Sequence, residues 1–233
     1  MRRFWLDMLM LVLFILVMGF RMLGQVWHEV LGVGLLVAML VHLVWNRRWF
    51  ASLVRGCWGR VRLLQTVLNL LFIVSACVAL GTGVVISNHV FVKMLVDVPW
   101  HRSIFVHQLH IASAVLMLML LGMHIGLHWR GLWQRLRAVP LLGRLDAHLR
   151  LRGCLVVLMM WAGCAYMRLD HLGDRLMMRH IFTTPAAQLP LGVNYLLLIC
   201  TLALFAALCY YLQAHWQAQA AAKAKNQRRS AGV

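Results

Sequence analysis

Two stretches decide how this chain folds: residues 28–42, HEVLGVGLLVAMLVH, and residues 110–124, HIASAVLMLMLLGMH. Each opens and closes on a histidine and is apolar over most of its length. In an α-helix fourteen steps rise about 21 Å and complete close to four turns, so both histidines of a stretch stand on one helix face. Two such helices, side by side and running the same way, would face each other at two depths.

The composition says where such helices sit. Of 233 residues, 63% are hydrophobic and 12% charged, with a mean hydropathy of +0.78. Soluble domains carry about 25% charged residues, so the fold class is an all-α integral membrane bundle. Six segments are apolar enough to span: 4–22, 28–45, 64–87, 104–129, 153–167 and 193–215, of which the fifth is the shortest. No A-x-A-like cleavage site follows the first, so it is expected to stay as a helix. Residues 47–62 and 132–151 alternate apolar and basic residues and are expected at the interface, the second broken by Pro140 and Gly143. The chain divides into a four-helix core over 1–135, two additional membrane helices over 136–216, and a polar basic tail over 217–233, expected as a frayed or disordered end.

The net charge of +17 would suit nucleic acid, but the basic residues border apolar runs, where they set topology and meet lipid headgroups. No nucleic-acid partner is expected. With six spans, seventeen of the 23 Lys and Arg fall on one side, which puts both termini in the cytoplasm. The second and fourth helices then run in the same direction. His28 is level with His110 near the outer face, and His42 with His124 near the inner face.

An imidazole inside a bilayer is costly unless it is paired or functional. Interhelical hydrogen bonding is the plain alternative. Two matched levels favour metal ligation: two planar cofactors, each gripped from both sides by His28 with His110 and by His42 with His124. The six cysteines form no C-x-x-C and no C-x-x-C-H, so the cofactors would be two haem b groups, bis-histidine and non-covalent, and no disulfide is assigned. His107 and His128 compete on the fourth helix, yet only positions 110 and 124 match the spacing of the second. His128 is read as an interfacial residue near the inner haem edge, able to bond a propionate. His89, His101, His148, His171, His180 and His215 lie at segment ends and are expected to be solvated or to face headgroups.

Gly32, Gly34, Gly81, Gly83, Gly122 and Gly126 lie near the two levels. Glycine clears a flat space for a macrocycle, Gly81 and Gly83 being placed to floor the outer pocket; small-residue helix packing explains such glycines equally well. Arg102 and Lys93 outside, and Arg47, Arg48 and Arg130 inside, are candidates for propionates, with Arg102 foremost.

The ordered set His28-Glu29-x-x-Gly32, His42-Leu-x-Trp45-Asn46-Arg47-Arg48-Trp49, Gly81-x-Gly83 with Ser87, Trp100, His110 and His124-x-x-x-His128-Trp129 resembles the flavinylation-associated cytochrome family. Leu6-Asp7-Met8-Leu9-Met10 is similar to the opening of its first helix. The resemblance covers roughly residues 4–135. It implies a small di-haem cytochrome b of the bacterial inner membrane, with His28, His42, His110 and His124 at the ligand positions, acting with extracytoplasmic proteins that carry covalent FMN. The last two helices lie outside it and are expected to be a lipid-facing or partner-docking addition.

Two axial histidines leave an iron no open position, which favours electron relay over oxygen chemistry. The chain is then an electron-transfer protein or a subunit of an oxidoreductase. Two other readings stand beside it. One is a quinone-reactive cytochrome b subunit, with Asn88, His89 or His128 beside a haem edge. The other is a transition-metal transporter using His107, His110, His124 and His128.

Overall fold

A computed structural model describes residues 2–95, 97–138, 149–179 and 184–230, and every regular element among them is helical. The helices are α1 (Arg2–Met18), α2 (Phe20–Leu23), α3 (Gln25–Trp45), α4 (Arg47–Ser52), α5 (Arg60–Val85), α6 (Val92–Leu95), α7 (Ile104–Leu136), α8 (Leu149–Leu169), α9 (Leu172–Leu176) and α10 (Leu191–Ser230). Short 3-10 turns cover Pro99–Arg102 and Pro185–Gln188. The expected interfacial stretch at 132–151 lies partly outside the described residues, as do His148 and His180.

Five helices are long and apolar enough to cross a membrane: Gln25–Trp45, Arg60–Val85, Ile104–Leu136, Leu151–Leu169 and Leu191–Lys223. The sixth expected span, 4–22, is divided. α1 stops at Met18 after 17 residues, which rise about 25 Å against a hydrocarbon core of about 30 Å. The helix ends before Gly19, against which the Tyr195 hydroxyl packs so closely that a Cβ would have no room. The chain then makes the single turn of α2 and reverses at Gly24, whose φ of +77° is the left-handed region that glycine tolerates.

Hydrogen bonds fix the directions of the four core helices. His28 meets Val17 and His42 meets Asp7, so α3 descends along α1 as α1 rises. His110 meets Ala79 and His124 meets Asn69, so α5 and α7 are likewise antiparallel. The Glu29 carboxylate then joins the start of α3 to the end of α5. It accepts from Ser87 Oγ at 2.6 Å and from the backbone N–H groups of Asn88, His89 and Val90 at 2.9–3.0 Å. His101, just before α7, donates from Nδ1 to the Val85 carbonyl at the same end. α3 and α7 therefore run the same way.

The core sits between these helices: Phe14 of α1, Leu35 and Met39 of α3, Ala76 and Ala79 of α5, Val115 and Leu118 of α7. Ser75 Oγ donates to the Ser113 carbonyl at 2.8 Å across α5 and α7, a buried polar pair satisfied within the bundle. The last two long helices do not stand apart from this core. α10 packs along α7 at Gly122 and Gly126, where an added Cβ would run into the α10 backbone at Leu202 and Ala206. Gly163 gives α8 the same close approach at Cys200. Helix packing thus accounts for Gly122 and Gly126, which the sequence also allowed as a clearing for a macrocycle. The polar tail is helical, α10 continuing through Ser230.

Candidate functional site

The four histidines selected by spacing share one feature. Each has its Nδ1 within hydrogen-bond distance of a fixed acceptor on a neighbouring helix. His28 Nδ1 meets the Val17 carbonyl at 2.9 Å, and His110 Nδ1 meets the Ala79 carbonyl at 2.8 Å. His42 Nδ1 meets Asp7 Oδ1 at 2.9 Å, and His124 Nδ1 meets Asn69 Oδ1 at 2.9 Å. A carbonyl or carboxylate oxygen can only accept, so each Nδ1 carries the proton and each Nε2 keeps its lone pair. That is the tautomer of a metal-ligating imidazole, and the acceptor behind it fixes the ring.

At the level that the charge bias of the sequence assigns to the outer face, His28 and His110 stand opposite each other, ring centres 6.1 Å apart and planes at 81°. Two imidazole nitrogens bound to opposite sides of one metal ion at about 2 Å each put their ring centres about 6 Å apart. Both rings line a cavity of about 300 Å³ and a second of about 90 Å³. Gly83 lies against His110; a Cβ there would sit 3.0 Å from its Cε1. Gly32 lines the smaller cavity and has open space where its Cβ would be. Gly81, also expected here, is exposed and lines neither cavity; of the two α5 glycines only Gly83 adjoins the site.

At the inner level His124 lies within electrostatic reach of His42, Asp7 and His128. The His124 ring is 4.8 Å from that of His128 and 5.6 Å from that of Phe72. His128 is exposed. His107 sits one turn before His110 and donates from Nδ1 to the Ser103 carbonyl of its own helix, so it lines the larger cavity without a neighbouring helix to hold it.

Among the described residues no three His, Cys, Asp or Glu side chains gather as ligands for a bare metal ion. The α7 histidines that a transporter would use are split between the two levels. His101 is not solvated as expected but buried, at 5% exposure, tying the start of α7 to the end of α5.

Three further parts of the site were missed by sequence reasoning. Asp7 and Asn69 stand behind the inner histidines. Glu29 closes the outer end. A polar cluster on the last helices reaches the outer cavity: Tyr166 donates to Asn194 Oδ1 at 3.0 Å, Thr184 donates to Asp170 Oδ1 at 2.6 Å, and Arg175 pairs with Asp170 at 3.1 Å. Asp7 had a signal, being a lone acid in an apolar run. The cluster had none, since its members are spread over 166–194. Arg102, foremost among the outer cations by sequence, is exposed and lines neither cavity.

No family model, no curated protein and no solved structure matches this chain.

Proposed function

We propose that this chain is a di-haem, b-type membrane cytochrome that relays electrons across the bacterial inner membrane, with both termini cytoplasmic. The observation that carries the reading is the shared hydrogen bonding of His28, His42, His110 and His124. Four intramembrane imidazoles, at two levels, each present Nε2 and each have Nδ1 anchored. Interhelical bonding alone, as at His101, needs no pairing at two levels.

The outer haem b would be held by His28 and His110, the inner by His42 and His124. The macrocycle supplies one-electron exchange at its iron. The chain's own residues do the rest. They orient the imidazoles, exclude water from the core, and raise ligand basicity at the level where a carboxylate backs the ring. Two histidines held at each level would leave a bound iron no position for dioxygen. Electrons would pass to or from an extracytoplasmic flavin-bearing protein, as the family resemblance implies.

A quinone-reactive subunit of a membrane oxidoreductase is the second reading, favoured by Asn88, which lines the larger outer cavity beside His28 and His110. The deciding experiment is a pyridine haemochrome assay with a reduced-minus-oxidised spectrum of the purified chain. About two b-type haems per chain are expected. Zinc or copper without iron would overturn the proposal.

A further inference from the structure

The larger outer cavity has two chemically different sets of lining residues. One is His28 and His110. The other is Tyr166, Asp170, Arg175, Thr184 and Asn194, all from the last two long helices and the segment between them. Four of these are buried polar groups in a membrane protein: Thr184 is 2% exposed, Tyr166 5%, Asn194 8% and Asp170 9%. Such groups are costly in an apolar setting unless they serve a partner or a ligand.

Within the cluster Asp170 is the organiser. Its Oδ1 accepts from Thr184 Oγ1 and pairs with Arg175 Nη2, and Nη2 also lies 3.4 Å from Thr184 Oγ1. Asp170 and Thr184 thus hold the guanidinium through one of its nitrogens. A guanidinium has five N–H donors in a planar fork, so donors remain for a third acceptor, and the fork matches a carboxylate. Arg175 is the only cation lining this cavity among the described residues.

We infer that Arg175, aimed by Asp170 and Thr184, is the carboxylate-binding residue of the outer site, taking a propionate of the macrocycle that His28 and His110 grip. This rests on the cytochrome reading and extends it to helices outside the family resemblance. Haem b would answer both parts of this lining, its metal the imidazoles and its acidic side chains the guanidinium. The last two long helices then complete the outer site. Arg102, exposed, does not take that part.

The test separates charge recognition from structure. Full-length chain made in haem-deficient cells is loaded with iron protoporphyrin IX or with its dimethyl ester, which lacks the carboxylate charge. Loss of pigment to an excess of apomyoglobin is followed. A charge-assisted hydrogen bond contributes about 1.5–3 kcal/mol, so the pigment at one of the two sites should leave roughly tenfold or more faster as the ester than as the acid. Arg175→Gln should erase that acid-over-ester preference, and Arg175→Lys should keep part of it. Equal retention of acid and ester by the unaltered chain overturns the assignment without any variant, as does a full preference surviving in Arg175→Gln. Uptake of neither pigment overturns the cytochrome reading and this assignment together; two haems held without an acid-over-ester preference overturns only this one.

Discussion

His42 donates from Nδ1 to the Asp7 carboxylate at 2.9 Å, whereas His28 and His110 donate to backbone carbonyls and His124 to an amide oxygen. The inner level thus has one anionic support and the outer has none. A carboxylate behind an imidazole makes it a stronger electron donor and favours the oxidised metal. Asp7→Asn should raise one of two midpoint potentials in a spectroelectrochemical titration. The difference between a charged and a neutral acceptor is about 1 kcal/mol, or roughly 40 mV for one electron. Asp7→Glu should restore most of it. Potentials unchanged in Asp7→Asn would show that the pair only positions the ring.

Ligand variants should sort by depth. His28→Ala and His110→Ala should each lose the outer haem, while His42→Ala and His124→Ala each lose the inner one. His107→Ala and His128→Ala should retain two, since neither ring is anchored to another helix at Nδ1. Haem counts and the surviving spectrum read the outcome. A haem lost in His107→Ala but kept in His110→Ala would mean that the register on α7 is shifted by one turn.

The glycines should divide into two classes. Gly83→Ala puts a Cβ 3.0 Å from His110 Cε1, so the ring must shift and the outer spectrum should change. Gly81→Ala, with nothing within 4 Å, should leave it unchanged. Gly122→Ala places a Cβ 2.7 Å from the Leu202 carbonyl oxygen. Overpacking of that kind costs about 1–3 kcal/mol. It should lower the thermal midpoint while both haem spectra persist.

This division shows where the sequence was legible. The helical period alone put His28, His42, His110 and His124 on two faces, and a spacing of fourteen made them level. What lay behind each ring could not be read, because Asp7 is 35 residues from His42 and Asn69 is 55 from His124. Backbone acceptors such as Val17 and Ala79 leave no mark in a sequence. Glycine was ambiguous for the same reason. Only the neighbouring helix tells whether the missing Cβ faces a cavity, as at Gly32, or backbone, as at Gly126. The first helix is shorter than the sequence suggested, and the ring that leaves no room for a Cβ at Gly19, that of Tyr195, lies far along the chain.

Topology is checked by fusion. A reporter active only after export should be silent when fused after Val233 and active when fused in the loop 88–98. Activity at the C-terminus would place an odd number of crossings in the chain. α1 would then be the first suspect, since its 17 residues are the shortest of the long helices.

The partner should engage the end of the bundle that carries His28 and His110. The same end carries Lys93, Asp97, Trp100 and Arg102 from the α5–α7 connection, and Arg168, Asp174 and Arg179 around α9, all exposed. Met94 and Met177, at 80% and 64% exposure, add flexible apolar surface between the charges. Cations outnumber acids there, so the surface is weakly basic and suits transient docking of an acidic redox protein. A reduced FMN-bearing partner should therefore reduce the outer haem before the inner one in stopped-flow spectra. The second-order rate should fall as salt shortens the screening length from about 30 Å at 0.01 M to about 8 Å at 0.15 M. Lys93→Glu combined with Arg102→Glu should slow that rate further at low salt and leave both haem spectra intact, because neither side chain lines the outer cavity. Reduction by a quinol alone, indifferent to the flavoprotein and to salt, would instead favour the quinone-reactive reading.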